Sequence, residues 1–316
     1  MKIAVVDTCT ITKGDVSLDE LSALGEVSFY DDVPEDKIEE LIGDSEAIIC
    51  NKAQIGRGFM EKCPRLRYIG LFATGYNNID IDYARDHGIS IANVPGYSTY
   101  SVAEHTFSLI LALSKSLVGY AESMEKGEWI HSPTFTYFPY PICELRGKTL
   151  GIFGYGDIGR EVAKIGSAFG MKIIVNTRTP SKCTEYECVS LEDLFSRSDF
   201  LTLHTPLTPE TENTVNEKTL SLMKPSAYLV NTSRGGAVDE AALAKALNEG
   251  KIAGAGIDVL TAEPMRPSNP LANAKNCIIT PHIAWAPIET RRRLVTLVAE
   301  NLKAFMDGKP INIVNK

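Results

Sequence analysis

Three polar residues stand where apolar runs end: Arg234 in NTSRGGAVDEAAL, Glu263 in GIDVLTAEP and His282 in IITPHIAWAP. Each is expected just beyond a strand, where α/β sheets bind ligands. The set suits reduction of a ketone. Hydride delivery to a carbonyl carbon puts negative charge on its oxygen, and a proton must reach that oxygen. Imidazole changes charge near neutral pH, which makes His282 the proton donor. A neighbouring carboxylate, Glu263, would favour the imidazolium and hold the ring. Arg234 can grip a substrate carboxylate through two parallel bonds and polarise the carbonyl; the plainer reading makes it a surface arginine in an ion pair. Asp258 ends the strand before Glu263, and Trp285 follows His282. His204 in LTLHTP is expected to line a cofactor with Thr205 and Pro206, whereas His87, His105 and His131 are expected to be structural or exposed. The histidines show no HxxxH or similar ligand spacing, so no metal site is expected.

A hydride source has its own motif. GYGDIG, Gly154 to Gly159, closes the run TLGIF and opens a helical stretch, and a second strand is expected at Lys172 to Asn176. That context favours a dinucleotide-binding turn over a glycine-rich turn without a ligand. Gly154 permits the tight turn, Gly156 lets a pyrophosphate approach the backbone, and Gly159 lets helix pack against strand. The helix start offers free amides to phosphate. NAD sites place an acidic residue at the end of the second strand. This chain has Asn176, Thr177, Arg178 and Thr179 there, with Lys182 beyond. No carboxylate repels a 2′-phosphate, and hydroxyls and a guanidinium are present to bind one. The expected cofactor is NAD(P)(H), with NADP(H) favoured by Thr177 and Arg178.

The elements that must position these groups alternate. Short β-rich runs at Ile3 to Val6, Val27 to Tyr30, Ala47 to Cys50, Tyr68 to Leu71 and Ile89 to Ile91 are separated by helical patterns at Leu18 to Leu24, Lys37 to Ile42, Arg57 to Lys62 and Asp80 to Asp86. This predicts a parallel sheet covered on both faces, closing near Pro95 and Gly96. A long helix is expected from about Ser101 to Glu125, capped by Ser98 or Thr99 or by a Ser101–Glu104 capping box. WIHSPTFTYFPYPICEL reads as an extended arm, because prolines break helices. Exposed aromatics on such an arm suit a subunit interface; the alternative is an arm that packs back on its own domain. A second α/β unit starts at Gly147, with later strands expected at Asp199 to His204, Ala227 to Asn231, Gly254 to Asp258 and Asn276 to Thr280, and a helix at Asp239 to Glu249. An amphipathic helix, Pro287 to Phe305, and a short closing segment, Ile311 to Val314, complete the chain. The pattern leaves open whether that helix caps the nucleotide unit or returns to the first.

The 316 residues suffice for two domains with real cores. The formal net charge of -8 argues against a nonspecific nucleic-acid binder. The opening MKIAVVDTC is too short an apolar run for a signal segment, and the longest apolar tract, near Phe107 to Leu113, cannot span a membrane. A cytoplasmic protein is expected. The cysteines (Cys9, Cys50, Cys63, Cys143, Cys183, Cys188 and Cys277) form no CxxC pair and suit free thiols in a reducing compartment. Cys183 and Cys188 are the nearest pair; with no histidine or further cysteine nearby, no redox or metal role is expected of them.

Over essentially its full length the sequence resembles the D-isomer-specific 2-hydroxyacid dehydrogenase family. The matching stretches are ATGYNNID, NVPGYSTYSVAEHTF, GKTLGIFGYGDIGR, LHTPLTPET, LVNTSRGGAVDEAAL, GAGIDVLTAEP and PHIAW. Within the family, NVPGYSTYSVAEHTF and PHIAW look most like glycerate dehydrogenases, also called hydroxypyruvate reductases. The resemblance implies two parallel-sheet, Rossmann-like α/β domains. The substrate domain would be discontinuous, 1–99 and 288–316 with a flavodoxin-like core, around a dinucleotide-binding domain at 100–287. It implies hydride transfer between a nicotinamide cofactor and a small D-2-hydroxy acid or 2-keto acid, glycerate/hydroxypyruvate and glyoxylate first. D-lactate or another D-2-hydroxy acid is the alternative, and a non-catalytic NAD(P)(H)-sensing regulator the remote one. The family's catalytic residues fall on Arg234, Glu263 and His282. Its substrate loops fall on Asn51, Lys52, Thr74 and Gly75, joined by Arg234, His282 and Trp285. Its cofactor contacts fall on Gly154, Tyr155, Gly156, Asp157, Ile158, Gly159, Thr177, Arg178, His204, Thr205, Pro206, Thr232 and Asp258. A homodimer with a crossing arm is implied. The departure is Thr177, where NAD-using members usually place aspartate.

Overall fold

A computed structural model describes residues Met1–Lys316 as two compact units, Met1–Tyr97 with Ala286–Lys316, and Ser98–Trp285. Both boundaries fall slightly earlier in the chain than expected.

The first unit holds β1 (Lys2–Val5), β2 (Glu26–Phe29), β3 (Ala47–Cys50), β4 (Tyr68–Leu71) and β5 (Ser90–Ala92). Their order is β2-β1-β3-β4-β5, every pair parallel. Every residue of β3 and β4 is buried, because helices cover both faces of a parallel sheet and continuous apolar runs result. The helix Ile288–Met306 belongs to this unit and settles the question left open by its pattern. Its buried stripe, Leu294, Val295, Val298 and Leu302, follows helical spacing, and Phe305 lies against Tyr68 of β4 with ring centroids 4.8 Å apart. The closing segment makes only one bridge, Ile313 to Ala92, and not a strand. Asn315 instead finishes the edge: its side chain accepts from the Ile91 N–H at 2.9 Å and donates to the Ile89 carbonyl at 2.7 Å.

The second unit holds β6 (Thr149–Phe153), β7 (Lys172–Asn176), β8 (Glu187–Cys188), β9 (Phe200–Leu203), β10 (Tyr228–Asn231), β11 (Gly254–Ile257) and β12 (Cys277–Ile279). The order is β12-β11-β10-β9-β6-β7-β8, again all parallel. β8 was not anticipated; it is two exposed residues and carries no apolar signal. Alternate residues feed two cores. Phe153, Leu201, Leu203 and Leu229 join one, and Leu150, Ile152, Phe200 and Val230 the other.

The long helix expected to Glu125 is two helices, Thr99–Ser114 and Leu117–Glu125. Ser116 between them is left-handed at φ 49. The reason is the returning arm: Lys115 Nζ donates to the Cys143 carbonyl at 2.6 Å, and Ser116 Oγ to the Pro141 carbonyl at 2.6 Å. Both bonds tie the break between the helices to the segment that returns past it. Ser98 is the N-cap but makes no side-chain capping bond, and Ser101 donates to the Ser98 carbonyl, so the expected capping box does not form. The arm opens with a short 3-10 turn, Glu128–His131. Tyr140 packs back on Tyr120, but Ile130, Phe135 and Phe138 are 81%, 88% and 71% exposed.

Candidate active site

β6 is the turning point of the seven-stranded sheet, with β7 on one side and β9 on the other. Loops leaving its C-terminal edge part there and open a crevice. Gly154 takes φ +98, and a Cβ on it would meet the His204 carbonyl oxygen at 2.7 Å. A Cβ on Gly159 would fall 2.2 Å from the Gly154 oxygen, so that glycine brings helix and turn together. Gly156, by contrast, faces open space at the N-terminus of the helix Asp157–Ala168. This cradle fits a pyrophosphate, since the amides of the helix start point into it.

The neighbouring loop supports the same fit. Both ring nitrogens of His204 and Oγ1 of Thr205 are shut off from solvent and have no hydrogen-bond partner. Buried polar atoms are seldom left so unless a ligand completes them. Burial pushes the His204 imidazole down to about 3, so the ring is neutral. Tyr155 turns inward, with the Arg160 guanidinium 4.4 Å from its ring centroid, and leaves its backbone to the crevice. Asp157 and Ile158 begin the helix, and Pro206 is exposed beyond Thr205. At the end of β7, Thr177 is half-buried, Arg178 is exposed, and the Thr177 hydroxyl accepts the Thr179 N–H at 3.3 Å.

Arg234, Glu263 and His282 leave β10, β11 and β12, three adjacent strands, at the same edge. Buried Asn231 shapes the first loop: its side-chain Oδ1 accepts the Ser233 N–H and hydroxyl, and its side-chain amide donates to the Arg234 carbonyl at 2.9 Å. Thr232 is pinned to Thr106 by a 2.9 Å hydroxyl pair. Gly235 is required for contact with the second loop, because a Cβ there would land 1.9 Å from the Leu260 carbonyl carbon. The loops of Arg234 and Glu263 thus lie directly against each other. Glu263 Oε1 accepts the Leu260 N–H at 2.9 Å, and its Oε2 lies 2.7 Å from Nδ1 of His282.

His282 is itself left-handed at φ 55. Its N–H donates to the Asp258 carbonyl at 2.8 Å. The Asp258 carboxylate, 1% exposed, accepts the N–H groups of Ile283 and Ala284 at 2.9 and 3.0 Å and the Thr280 hydroxyl at 2.6 Å. Burial pushes this carboxyl up, but the bonds from His105, Thr280, Ile283 and Ala284 outweigh it and hold it below the ordinary carboxylate value. Trp285 is half-buried at the end of the loop. Sequence reasoning placed His105 among the structural or exposed histidines and did not name Thr106; both lie on the helix Thr99–Ser114, and no local signal pointed to their partners across the sheet.

In the first unit, Asn51 and Lys52 follow β3, and Thr74 and Gly75 follow β4, the next strand. Buried Asp7 organises the first loop by accepting the N–H groups of Asn51, Lys52 and Ala53 at 2.6–3.0 Å. The Asn51 amide donates to Thr10 at 3.1 Å, so this side chain serves the shape of the loop. Thr74 donates to the Val94 carbonyl at 2.7 Å.

Known proteins carry the same pattern. The sequence profile described as D-isomer specific 2-hydroxyacid dehydrogenase, NAD binding domain, matches residues 107–284. The chain is 42% identical over 322 residues to a hydroxypyruvate reductase of Blautia hydrogenotrophica, covering 100% of both. It is 42% identical over 283 residues to a glycerate dehydrogenase of Methylorubrum extorquens, covering 89% of this chain and 88% of that one. The crystal structure of an NADPH-dependent glyoxylate/hydroxypyruvate reductase from Sinorhizobium meliloti superposes with a TM-score of 0.88 at 31% identity, over 99% of this chain and 97% of that one. A dinucleotide cradle and an imidazole–carboxylate pair on one sheet edge, with a likeness that runs from end to end, make this chain a member of the D-isomer-specific 2-hydroxyacid dehydrogenases, NAD(P)-dependent oxidoreductases acting between a CH–OH group and its ketone.

Proposed function

We propose that the protein reduces hydroxypyruvate to D-glycerate, and glyoxylate to glycolate, with NADPH. The observation that carries the chemistry is the 2.7 Å contact between His282 and Glu263 beside the loop of Arg234. The names of the relatives support the substrate. A bound reduced nicotinamide supplies the hydride to the carbonyl carbon. Arg234 holds the substrate carboxylate in its planar fork and draws charge toward the carbonyl oxygen. His282 delivers a proton to that oxygen from Nε2, because Nδ1 is engaged by Glu263. The carboxylate of Glu263 stabilises the imidazolium before transfer and fixes the plane of the ring.

Gly154 to Gly159 are assigned to the pyrophosphate, with His204, Thr205, Pro206 and Thr232 along the rest of the cofactor. Asp258 keeps a share through Oδ2, whose one protein partner is the Ala284 N–H. Thr177 and Arg178 are assigned to the 2′-phosphate. Lys52, Thr74 and Gly75 are assigned to the substrate carboxylate, with Asn51 shaping their loop, and Trp285 to the substrate side chain.

Two copies are proposed to pair through the arm. Tyr120, Met124, Trp129 and Phe135 to Phe138 line a hollow of about 330 Å³, and a second copy's aromatic arm would cover it. Seven free thiols suit a reducing compartment, and we assign the protein to the cytoplasm. No helix is long and apolar enough to cross a membrane.

The test is a panel of 2-keto acids assayed with reduced cofactor. Hydroxypyruvate should give the highest kcat/KM. Faster turnover of pyruvate or phenylpyruvate would overturn the substrate assignment, and cofactor binding without turnover of any keto acid would favour a sensor.

A further inference from the structure

We propose that His105 is a positioning residue for His282, acting through Thr280 and Asp258. The inference rests on His282 being the proton donor. His105 lies on the helix Thr99–Ser114, and its Nε2 is 2.9 Å from Oγ1 of Thr280. That hydroxyl already donates its single proton to Oδ1 of Asp258 at 2.6 Å. It can therefore only accept from His105, which fixes the proton of His105 on Nε2. The same N–H also faces Asp258 Oδ1 at 3.4 Å. The direction of the chain is thus set: imidazole to hydroxyl to carboxylate.

The carboxylate end of this chain holds the catalytic loop. The His282 N–H is shared between the backbone carbonyls of Asp258 and Thr280, and the N–H groups of Ile283 and Ala284 go to the Asp258 carboxylate. They hold His282 in a left-handed conformation that residues with a Cβ seldom adopt. Such a conformation persists only where its surroundings over-determine it. Oδ1 of Asp258 takes both the Thr280 hydroxyl and the Ile283 N–H, so the chain from His105 and the loop after His282 meet on one oxygen. Removing the donor at 105 frees the Thr280 hydroxyl to turn and the carboxylate to rotate, and the N–H groups of Ile283 and Ala284, next in the chain to His282, lose their fixed acceptor. His282 would keep Glu263 but lose the placement of its Nε2. Misplacement of a catalytic group costs rate more than it costs affinity.

The experiment is steady-state kinetics with NADPH and the best keto acid, alongside thermal melts, on His105→Leu, His105→Gln, Thr280→Val, Thr280→Ser and the double variant His105→Leu/Thr280→Val. His105→Leu and Thr280→Val should each lower kcat about tenfold with much smaller changes in either KM. His105→Gln and Thr280→Ser should recover most of the loss, since each keeps the N–H or hydroxyl that the chain requires. The double variant should be no slower than either single one, as members of one chain fail together. Unchanged kcat in His105→Leu, no recovery in His105→Gln, multiplying losses in the double variant, or a loss that simply tracks melting temperature would each overturn the proposal. His282→Ala is the separate control: full activity there would remove the proton-donor assignment itself, whereas an inactive His282→Ala beside a fully active His105→Leu would remove only the role of His105.

Discussion

Nδ1 of His282 lies 2.7 Å from Oε2 of Glu263, and this contact decides which ring nitrogen serves the substrate. His282→Ala should lower kcat for ketone reduction by about a hundredfold or more, the scale of losing a general acid. Cofactor affinity, measured by NADPH fluorescence, should stay near the native value. Glu263→Gln should cause a smaller loss in kcat, because the amide still holds the ring but no longer stabilises its charge. A fully active His282→Ala would refute the assignment.

Arg234 gives one guanidinium N–H to the Ser233 carbonyl at 2.7 Å, which sets the fork on its own loop. Arg234→Lys should therefore be damaging, since an ammonium cannot copy a planar two-pronged donor. Loss of one charge-assisted bond, about 1.5–3 kcal/mol, should lower kcat/KM about tenfold to a hundredfold. Kinetics that match the native enzyme would return Arg234 to the surface ion-pair reading.

At the end of β7 no carboxylate stands among Asn176 to Lys182, and Arg178 is exposed. NADPH should be preferred to NADH by about tenfold to a hundredfold, the worth of one charge-assisted bond. Thr177→Asp should erase or reverse that preference. The ratio of kcat/KM for the two cofactors with one keto acid measures it, and an NADH preference in the native protein would sink the prediction.

Burial holds His204 at about 3 against an ordinary 6.5. The sign follows from proton uptake. Below about 6.5 the unfolded chain binds a proton that the folded chain refuses, so stability falls as pH drops from 6.5 toward 3. The loss approaches about 1.4 kcal/mol per pH unit for one such group. Thermal melts from pH 7 to pH 4 should show a steeper decline in the native protein than in His204→Gln. Parallel declines would mean that His204 takes up its proton in the folded state.

Phe135 and Phe138 are among the most exposed apolar residues of the chain. Light scattering should give a dimer mass for the native protein. The double substitution Phe135→Asp/Phe138→Asp should give a monomer, with its fold unchanged by circular dichroism. A native monomer would mean that the arm serves its own domain.

The amino-acid sequence by itself determined the local elements and the chemistry at their ends. Short apolar runs separated by helical patterns placed β3, β4, β6, β7 and β10 closely, because strand and helix patterns are set by residues near in sequence. GYGDIG and the polar residues after apolar runs marked the cofactor turn and the positions of Arg234, Glu263 and His282. The tertiary structure alone decided which of these ends are neighbours. Strand order is set by packing between distant segments and carries no local signal, so only the fold set β10, β11 and β12 side by side. The same holds for Gly235, whose need is visible only once Leu260 lies against it. It holds for the left-handed backbone of His282, imposed by Asp258 and not by its own residue type. It holds also for the break at Ser116, made by an arm that returns from Pro141, and for the helix Ile288–Met306, which closes the first sheet from the far end of the chain. His105 meets Thr280 across 175 residues of sequence, a distance at which no spacing rule operates and only the folded sheet can bring two side chains together.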